Sequence, residues 1–520
     1  MAHKMIGMKN KPLSNLLQKG AVFIYLSILT LIIAFQNTDS IWGNGETWVD
    51  ASVYKYVAWM MDLGYMPYKD TFDHKGPLVY IFFWIGRKFG SWRGVWVPYV
   101  VLIFVTLLLL YLIIRKFCAP ALSCILMLVI FAVLFDYEIN FMSPEGLAIP
   151  FMAGGLYIFL DYFLFNNRIS KLRLFLCGLC FGCILMIKAQ MISLWLVFCI
   201  AVLIKNIKEN SLSNIGTFLL FFAAGCCAAV LPILLWLIRG NAFADFISDY
   251  IVFNGKYAAY YTGNSPLEIF AERVRAVTFF TNKPVILLAL FCCFAMIKYR
   301  KENRAFHIAY LIYLLCSIGI AALSGRKYGH YGTSLTVAVT YPLAIVFGRG
   351  FKTNSEIKRL VTLTGLAYII CICAMPVFLN KADNTMNTYI NYSNGKNTLS
   401  PNLESIINCV KKNSEPDDLI TVHGLYDIVY GLSKRRSASR YTYQHAFPLV
   451  DPPRTEEYYS ELAQNLPVLI IDKNITETSP ETEVTDHNRM MAFIDEHGYE
   501  LIETSTEKTY SIYKYKQRSA

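Results

Sequence analysis

Charged residues are scarce in this sequence of 520 residues: only 16% are Asp, Glu, Lys or Arg, whereas 55% are hydrophobic. Soluble domains carry about 25% charged residues, so the composition predicts a multi-span membrane protein. The net charge of +11 is divided unevenly, with 33 basic against 17 acidic residues in 1–379 and 15 against 20 in 380–520. Because the basic excess lies between apolar segments, it does not indicate nucleic-acid binding. We predict a membrane domain over 1–379 and a soluble α/β domain over 380–520.

Cysteines are also scarce in the C-terminal domain, where they could form disulfides or bind a metal. Of the fourteen, only Cys409 lies in the C-terminal domain, and the others fall mostly in apolar runs. This distribution excludes a disulfide framework in that domain and does not favour a structural zinc site. The sequence also lacks a P-loop and a glycine-rich dinucleotide turn, so we expect no nucleotide cofactor. A divalent cation is left open.

Long apolar runs are the dominant positive feature. A span needs about 20 residues, with a lower limit near 17. Eleven segments qualify as spans: 20–36, 94–114, 119–135, 146–165, 172–187, 189–204, 214–238, 281–297, 306–323, 333–348 and 357–379. The shorter segment 77–90 carries Arg87 and Lys88, and we expect it to lie in the membrane interface.

Loop charges predict the orientation of the spans. With the N-terminus inside, the short inner connections hold 19 of the 33 basic residues of the membrane domain. This satisfies the positive-inside rule. The C-terminal domain and 13 of the 17 acidic residues then lie on the outer side.

The first outer loop, 37–93, is too polar and aromatic for a mere connection between spans. Asp50 lies in it between Trp48 and Tyr54. Partial desolvation among aromatic rings would raise the pKa of this carboxyl toward the range of a general base. The alternative is that Asp50 caps the helix predicted over ASVYKYVAWMMD, which Gly64 ends. Both roles can hold at once.

A second group of polar residues in the loop precedes Pro77. Asp73, His74 and Lys75 are consecutive there, just before the interfacial segment. An ammonium group and a helix N-terminus both favour an anion, so this group could bind a lipid-linked phosphate. The alternative is a lysine that contacts only lipid head groups.

Other outer positions complete the set of candidates. Glu145 begins the fourth span after Pro144, where an acid also complements the helix dipole. Lys188 interrupts an apolar run, which marks a functional candidate or a turn between short helices. A late loop is basic and aromatic and could stabilise a leaving phosphate, or could be a solvated loop. Its candidate residues are Arg326, Lys327, His330 and Tyr331.

The C-terminal region alternates apolar and polar runs. DDLITVHG, NLPVLIID and KTYSIYKY are typical of strands, and MMAFIDEHG of a helix that a glycine ends. The basic strip KRRSASRYTYQ, 434–444, could bind anionic glycan or head groups, or be a solvated face. The domain could bind an acceptor or cover a site.

The order and sidedness of these motifs resemble the GT-C superfamily of glycosyltransferases. An acid follows the first span, then come GYMPYKDTFDHKGP, NFMSPE before a later span, and His330-Tyr331. The chain is similar to the bacterial relatives of protein O-mannosyltransferases and of the lipid A aminoarabinose transferase over residues 20–350. The resemblance extends to the C-terminal domain only in its class, that of a small α/β domain.

The resemblance implies a polytopic α-helical body of about eleven spans, interfacial helices, and a C-terminal extracytoplasmic domain. It implies a polyprenyl-phosphate sugar donor, inversion at the anomeric centre, and a place in the bacterial cytoplasmic membrane. Asp50 would be the catalytic base, Glu145 the second acid and Lys75 a donor-phosphate contact. Many relatives carry two adjacent acids, whereas Ala51 follows Asp50 here. Metal dependence is therefore not implied by the resemblance.

The hypothesis from sequence is a single displacement on the outer face of the membrane. Asp50 deprotonates an acceptor hydroxyl of an envelope glycan, lipid or protein, and Lys75 with Arg326 or Lys327 stabilises the departing phosphate. The rival hypotheses are a transporter or flippase, a polysaccharide polymerase or ligase, and a receptor-like protein. A transporter would place ionisable residues along its spans, which here are nearly free of charge.

Overall fold

The structure is a computed structural model. It describes residues 2–136, 142–166, 169–259, 265–281, 284–299, 303–322, 328–424, 426–444, 447–476 and 479–516. Within these ranges the chain is mainly helical, with a small sheet near its C-terminus. The predicted fold class, a polytopic helical protein with a C-terminal α/β domain, is confirmed.

Eight described helices are long and apolar enough to cross a membrane, as expected of a multi-pass membrane protein. They are Leu16–Ala34, Trp96–Arg115, Pro144–Asn166, Lys171–Met191, Leu212–Arg239, Arg304–Ala322, Gly329–Gly350 and Glu356–Ser393. Three other predicted spans are helices of 17, 16 and 16 residues, Pro120–Asp136, Ser193–Lys208 and Pro284–Tyr299. At 1.5 Å per residue these reach about 25 Å, short of the roughly 30 Å hydrocarbon core. The count of eleven spans stays a prediction.

Residues 77–90, expected to lie in the interface, form a helix too short to span. It covers Pro77–Arg87, with Pro77 in the first turn and Gly76 as the N-cap. Arg87 Nε and Lys88 Nζ each lie 2.5 Å from an oxygen of Asp62, at the end of the helix Val49–Asp62. These ion pairs join the two helices of the loop.

The described residues group into two compact units. The first comprises 1–37, 98–229 and 270–390, and the second comprises 38–97, 230–269 and 391–520. The predicted boundary at 380 lies inside the long helix Glu356–Ser393, because the composition changes before the helix ends. The long outer loop, which the sequence assigns to the membrane domain, falls in the unit that holds the sheet.

Close helix packing in the first unit depends on glycine. A Cβ on Gly178, in the helix Lys171–Lys188, would lie 1.9 Å from the carbonyl oxygen of Phe222. A Cβ on Gly225 would lie 1.9 Å from the carbonyl oxygen of Phe175. The backbones therefore touch at both points, as is common where membrane helices pack through small residues.

The remaining helices of the second unit precede and flank the sheet. Between the membrane segments they are Phe243–Phe246, Phe253–Ala259 and Pro266–Thr281, the last of which extends into the first unit. Near the C-terminus they are Pro401–Asn413, Ile428–Ser433, Phe447–Val450, Pro452–Gln464 and Glu481–His497. The predicted glycine stop is confirmed: Gly498 ends the last helix with φ +72°.

The sheet has five strands in the order β2-β1-β3-β5-β4. They are β1 Leu419–His423, β2 Arg436–Ser437, β3 Leu469–Lys473, β4 Tyr499–Thr504 and β5 Tyr510–Tyr515. β2, β1 and β3 are parallel, whereas β5 runs antiparallel to β3 and β4. The three predicted strands are β1, β3 and β5. Two strands were not predicted. β2 is short, and β4 is exposed along most of its length.

A buried network of histidine and aspartate joins the last helix to the sheet. His423 Nδ1 lies 2.6 Å from Asp472 Oδ1, and its Nε2 lies 3.1 Å from Asp486 Oδ2. Burial lowers the pKa of His423, but the two carboxylates outweigh it and raise that pKa to about 9. The imidazole is therefore protonated at neutral pH and clips the helix Glu481–His497 onto β1 and β3.

The outer loop and the sheet share one hydrophobic core. Tyr56, Met60 and Trp92 of the loop are buried together with Leu403, Val422 and other apolar residues of the C-terminal region. Gly431 leaves room for the Trp92 ring, since a Cβ there would lie 2.1 Å from it. The loop is therefore folded as part of the α/β unit rather than as an independent segment.

Candidate functional site

Asp50 lies in the first turn of the helix Val49–Asp62 and is half-buried. The N-cap is Trp48, so the structure does not support the alternative that Asp50 caps this helix. An acid in the first turn still complements the helix dipole. Burial is the main reason for the raised pKa of Tyr443 and of Asp427, and the negative charge of Asp50 contributes to both.

A buried ion pair positions the helix that carries Asp50. Lys55 Nζ lies 2.5 Å from Asp39 Oδ2 and 2.6 Å from Thr47 Oγ1, and Thr47 also donates to Asp39 Oδ1 at 2.9 Å. Burial lowers the pKa of Lys55, whereas the adjacent Asp39 opposes this shift. The pair was not predictable from sequence, because Lys55 has the spacing of any amphipathic-helix lysine.

Asp73 is the hub of the second group of loop residues. It is 2% exposed, and its Oδ1 accepts from the His74 backbone N–H at 2.7 Å and from the Tyr443 hydroxyl at 3.0 Å. The Tyr80 hydroxyl lies 3.0 Å from Oδ2. A carboxylate held by three donors positions its neighbours, and is poorly placed to bind substrate itself.

Lys75 and His74 are less buried than Asp73. Lys75 Nζ lies 2.6 Å from His74 Nε2 and 3.9 Å from Asp73 Oδ1, and 18% of its side chain is exposed. The His74 ring stacks on Tyr257, with 5.5 Å between centroids. The predicted trio is therefore one hydrogen-bonded group, with a cation at its accessible end.

Tyr54 supports the loop from within. It is 1% exposed and packs edge-on against Phe83, with 5.4 Å between ring centroids. Its ring lies in the loop core, so a direct contact with substrate would need the loop to open.

A cluster in the first unit brings together three distant parts of the sequence. Its members are Glu145, Lys188 and the adjacent pair His330 and Tyr331. Glu145 is buried in the first turn after the N-cap Ser143, and its Oε1 pairs with Lys188 Nζ. His330 Nε2 lies 4.0 Å from the same oxygen. Lys188 ends its helix and lies 4.2 Å from the centre of the Tyr331 ring. Lys188 therefore lies between two helices, as one of the two alternatives expects, and is paired with an acid, whereas a functional role for it stays a prediction.

The other two candidates in the late loop, Arg326 and Lys327, lie outside the described residues. Their predicted role as phosphate contacts stays a prediction.

The basic strip 434–444 is not a solvated face, which corrects one of the two interpretations of it. Arg435 is 6% exposed and donates to the hydroxyl and the carbonyl of Ser414 at 2.9 and 2.6 Å. Arg440 donates to the Tyr68 carbonyl at 2.6 Å, and the Arg440 carbonyl accepts from Phe72 N at 2.7 Å. Sequence alone did not distinguish the two interpretations, because the partners of Arg435 and Arg440 lie elsewhere in the sequence.

Asp427, which the sequence analysis missed, is a fully buried carboxyl just after β1. Within the described ranges neither oxygen has a hydrogen-bond partner of good geometry, although the nearby Thr442 hydroxyl favours the charged form. Burial, with the charges of Asp73 and Asp50, raises the pKa of Asp427 to about 8. Nothing in the local sequence, GLYDIVYG, distinguishes this acid from an ordinary helix cap.

The sequence leaves a divalent cation open, which would need a set of protein ligands. Among the residues that the structure describes, no group of three or more His, Cys, Asp and Glu side chains is placed to hold a metal ion. The adjacent-acid pattern of many relatives, which Ala51 breaks in the sequence, is thus not replaced by another set of ligands in that part of the chain.

The chain has a GT-C-like fold, as the sequence motifs predict, and a solved structure shares it over nearly the whole chain. The crystal structure of ArnT from Cupriavidus metallidurans bound to undecaprenyl phosphate is similar, with a TM-score of 0.58 at 11% identity. The similarity covers 95% of this chain and 97% of that chain. The apo state of the same protein gives a TM-score of 0.57 at 10% identity, with the same coverage. At these identities the likeness shows the fold alone.

An archaeal oligosaccharyltransferase is a weaker match. AglB from Archaeoglobus fulgidus, in complex with an inhibitory peptide and a dolichol-phosphate, has a TM-score of 0.48 at 14% identity. The match covers 96% of this chain and 75% of that one, and the score is too low to support an argument.

Sequence comparison identifies the family within this fold class. Residues 16–362 match the model described as the competence-induced protein Ccs4 N-terminal domain. The chain therefore belongs to that family, whose description names no chemical activity. No curated protein matches the sequence.

Proposed function

We propose that this protein is an inverting glycosyltransferase that uses a polyprenyl-phosphate sugar as its donor. The observation that carries the proposal is the GT-C fold, shared over nearly the whole chain with a structure that binds undecaprenyl phosphate. The loop supports it chemically, because it carries a half-buried carboxylate, Asp50, and an accessible ammonium, Lys75. These are the two groups that a displacement at an anomeric carbon requires.

The reaction is a single displacement. Asp50 accepts the proton of an acceptor hydroxyl as the oxygen attacks the anomeric carbon. The bond between that carbon and the phosphate oxygen breaks, and its electron pair stays on the phosphate. Lys75 stabilises the added negative charge on the leaving group. Attack opposite to the leaving group inverts the anomeric centre.

The partners of Asp50 and Lys75 prepare them for these roles. Lys55 and Asp39 hold the helix that carries Asp50. His74 and Asp73 hold Lys75 near the surface of the loop, where the charge is only partly hydrated. Partial desolvation strengthens the attraction between an ammonium and a phosphate.

The cluster around Glu145 is proposed as a second, separate contributor to substrate binding. Lys188 is held between the Glu145 carboxylate and the Tyr331 ring, which fixes its ammonium in place. A fixed cation beside His330 suits the hydroxyl and phosphate oxygens of a glycolipid. Asp50 stays our candidate for the base.

We propose a location in the bacterial cytoplasmic membrane, with the N-terminus cytoplasmic and the sheet domain outside. Support comes from the helices of span length and from the basic residues in the predicted inner loops. The acceptor would be a hydroxyl of an envelope glycan, lipid or protein.

The test compares envelope glycans by mass spectrometry in a deletion strain and in the same strain with wild-type protein or with Asp50→Asn. We expect one sugar to be lost on deletion and restored by wild type only. Asp62→Asn, on the same helix but engaged with Arg87 and Lys88, is the matched control and should restore the sugar. Full restoration by Asp50→Asn would remove Asp50 from the role of base. Unchanged glycans on deletion would favour a transporter.

A further inference from the structure

Tyr443 has no part in the mechanism above, yet its hydroxyl lies between two of the loop residues. It is 2.9 Å from His74 Nδ1 and 3.0 Å from Asp73 Oδ1. Tyr443 lies in the chain between β2 and the helix Phe447–Val450, about 370 residues from its partners. The C-terminal region therefore reaches into the loop through this side chain.

Lys75, His74, Tyr443 and Asp73 form a chain of hydrogen bonds. The chemistry of the groups assigns a direction to each bond in it. An ammonium can only donate, so Lys75 donates to His74 Nε2, which must carry no proton. The proton of the neutral imidazole is then on Nδ1, which donates to the Tyr443 oxygen. A carboxylate can only accept, so the Tyr443 hydroxyl donates to Asp73. The chain runs in one direction from Lys75 to Asp73.

We propose that Tyr443 is a positioning residue that holds His74 as its Nδ1–H tautomer, so that the bare Nε2 anchors Lys75 at the donor phosphate. This inference rests on the proposed function and deepens it. It also gives the C-terminal domain a role: it completes the donor-phosphate contact of the loop.

A hydroxyl is needed at this position because it must accept and donate at once. Phenylalanine would fill the same space but would leave His74 Nδ1–H and Asp73 Oδ1 each without this partner. The Nε2–H tautomer would then become accessible, with its donor facing the Lys75 ammonium. Lys75 would lose its anchor, although the backbone of the loop could stay as it is.

Tyr441 offers a matched control. It belongs to the same segment, is fully buried, and its hydroxyl donates to Glu457 at 2.7 Å rather than to the loop trio. Tyr441→Phe therefore removes a buried tyrosine hydroxyl from this segment and leaves the chain from Lys75 to Asp73 intact.

The experiment measures binding of undecaprenyl phosphate and of uncharged undecaprenol to the full-length protein in nanodiscs. The variants are Lys75→Met, Tyr443→Phe, the double variant and the control Tyr441→Phe. We expect Lys75→Met and Tyr443→Phe each to weaken binding of the phosphate about tenfold, which is the effect of losing one charge-assisted hydrogen bond. Undecaprenol binding should not change. The double variant should bind like Lys75→Met, because Tyr443 acts only through Lys75.

Other outcomes separate the inference from the proposed function. If Lys75→Met binds the phosphate like wild type, the donor contact itself is wrong, and the role of Tyr443 falls with it. If Lys75→Met weakens binding but Tyr443→Phe does not, or if the two effects multiply, the donor contact stands and the positioning role is refuted. Equal weakening by Tyr441→Phe, or loss of undecaprenol binding, would show a structural effect and also refute it.

A background in which residue 74 has no tautomer tests the same point separately. In His74→Gln, the amide oxygen can accept from Lys75 without a tautomer to be set. Adding Tyr443→Phe to this background should not weaken phosphate binding further. A further loss of about tenfold would refute the tautomer explanation.

Discussion

Replacing Lys55 by methionine should destabilise the loop that carries Asp50. Lys55 is 1% exposed, and its ammonium lies 2.5 Å from Asp39, which is 2% exposed. The substitution leaves the Asp39 carboxylate buried without its counter-charge. Removing one partner of a buried ion pair costs about 3–5 kcal/mol. Thr47 still donates to Asp39 at 2.9 Å, so we expect a value near the lower end, about 3 kcal/mol.

Hydrogen exchange in the helix Val49–Asp62 of the purified protein measures this loss directly, because it reports the free energy of local opening. A change of about 3 kcal/mol corresponds to amide exchange faster by about a hundredfold or more. The matched control is Lys473→Met in the same unit, which removes an ion pair with Glu483 whose side chains are 49% and 30% exposed. An exposed pair contributes at most about 1 kcal/mol, so exchange around Lys473 should change little.

The double variant Asp39→Leu, Lys55→Met tests the cause. Buried ion pairs replaced by apolar residues of similar volume are often neutral in stability, so the double variant should recover much of the loss. If Lys55→Met speeds exchange less than about tenfold, the pair does not hold the helix. If the double variant is worse than the single one, the uncompensated charge is not the reason for the effect.

Three further changes test other parts of the structure. Gly178→Leu should lower the melting temperature sharply in a thermal scan, since its side chain would collide with the Phe222 carbonyl, and an unchanged melting temperature would contradict that packing. The contribution of His423 to stability should be complete below its unfolded pKa of about 6.5 and lost as pH rises through about 9, because its pKa is raised by folding. Exchange in β1, corrected for the intrinsic pH dependence, should therefore accelerate between about pH 6.5 and 9 and change little at higher pH, whereas a flat profile would show that His423 does not hold the helix on the sheet. Lys188→Met should reduce glycan restoration more than the double variant Lys188→Met, Glu145→Gln, since the single change leaves the buried Glu145 carboxylate without its lysine partner, and the reverse order would contradict this.

The class of fold could be predicted from sequence because its signals are local and strong. Apolar length defines the long spans, and the glycine after His497 defines the end of a helix in the sheet domain. β1, β3 and β5 stand out by their apolar runs. The exact number of spans could not be predicted, since helices such as Ser193–Lys208 lie at the limit of spanning length.

The candidate site was predictable only where its residues are neighbours in sequence or fit a motif. Asp73, His74 and Lys75 are consecutive, and the motif order indicates Glu145 and His330. Tyr443 and Asp427 were not predictable, because their importance comes from long-range packing of the C-terminal region against the loop. The unit that joins the loop to the sheet has no signature in composition, which changes near residue 380 instead.

The basic strip 434–444 shows that sequence alone does not predict whether a charged side chain is solvated or buried. Runs of arginine are usually solvated, and only the folded chain shows Arg435 and Arg440 donating to buried carbonyl groups. A charged residue can be buried when partners satisfy its donors, and those partners lie far away in the sequence.

The central claim, that the protein transfers a sugar from a polyprenyl phosphate with Asp50 as base, is tested most directly on the donor itself. Lipids from the deletion strain are extracted and incubated with its membranes and with purified protein in nanodiscs, and polyprenyl species are followed by mass spectrometry. We predict that one polyprenyl-phosphate sugar accumulates in the deletion strain. Wild-type protein should convert it to polyprenyl phosphate, and Asp50→Asn should not. Absence of any accumulated lipid-linked sugar, together with no release of polyprenyl phosphate by wild type, would contradict the account.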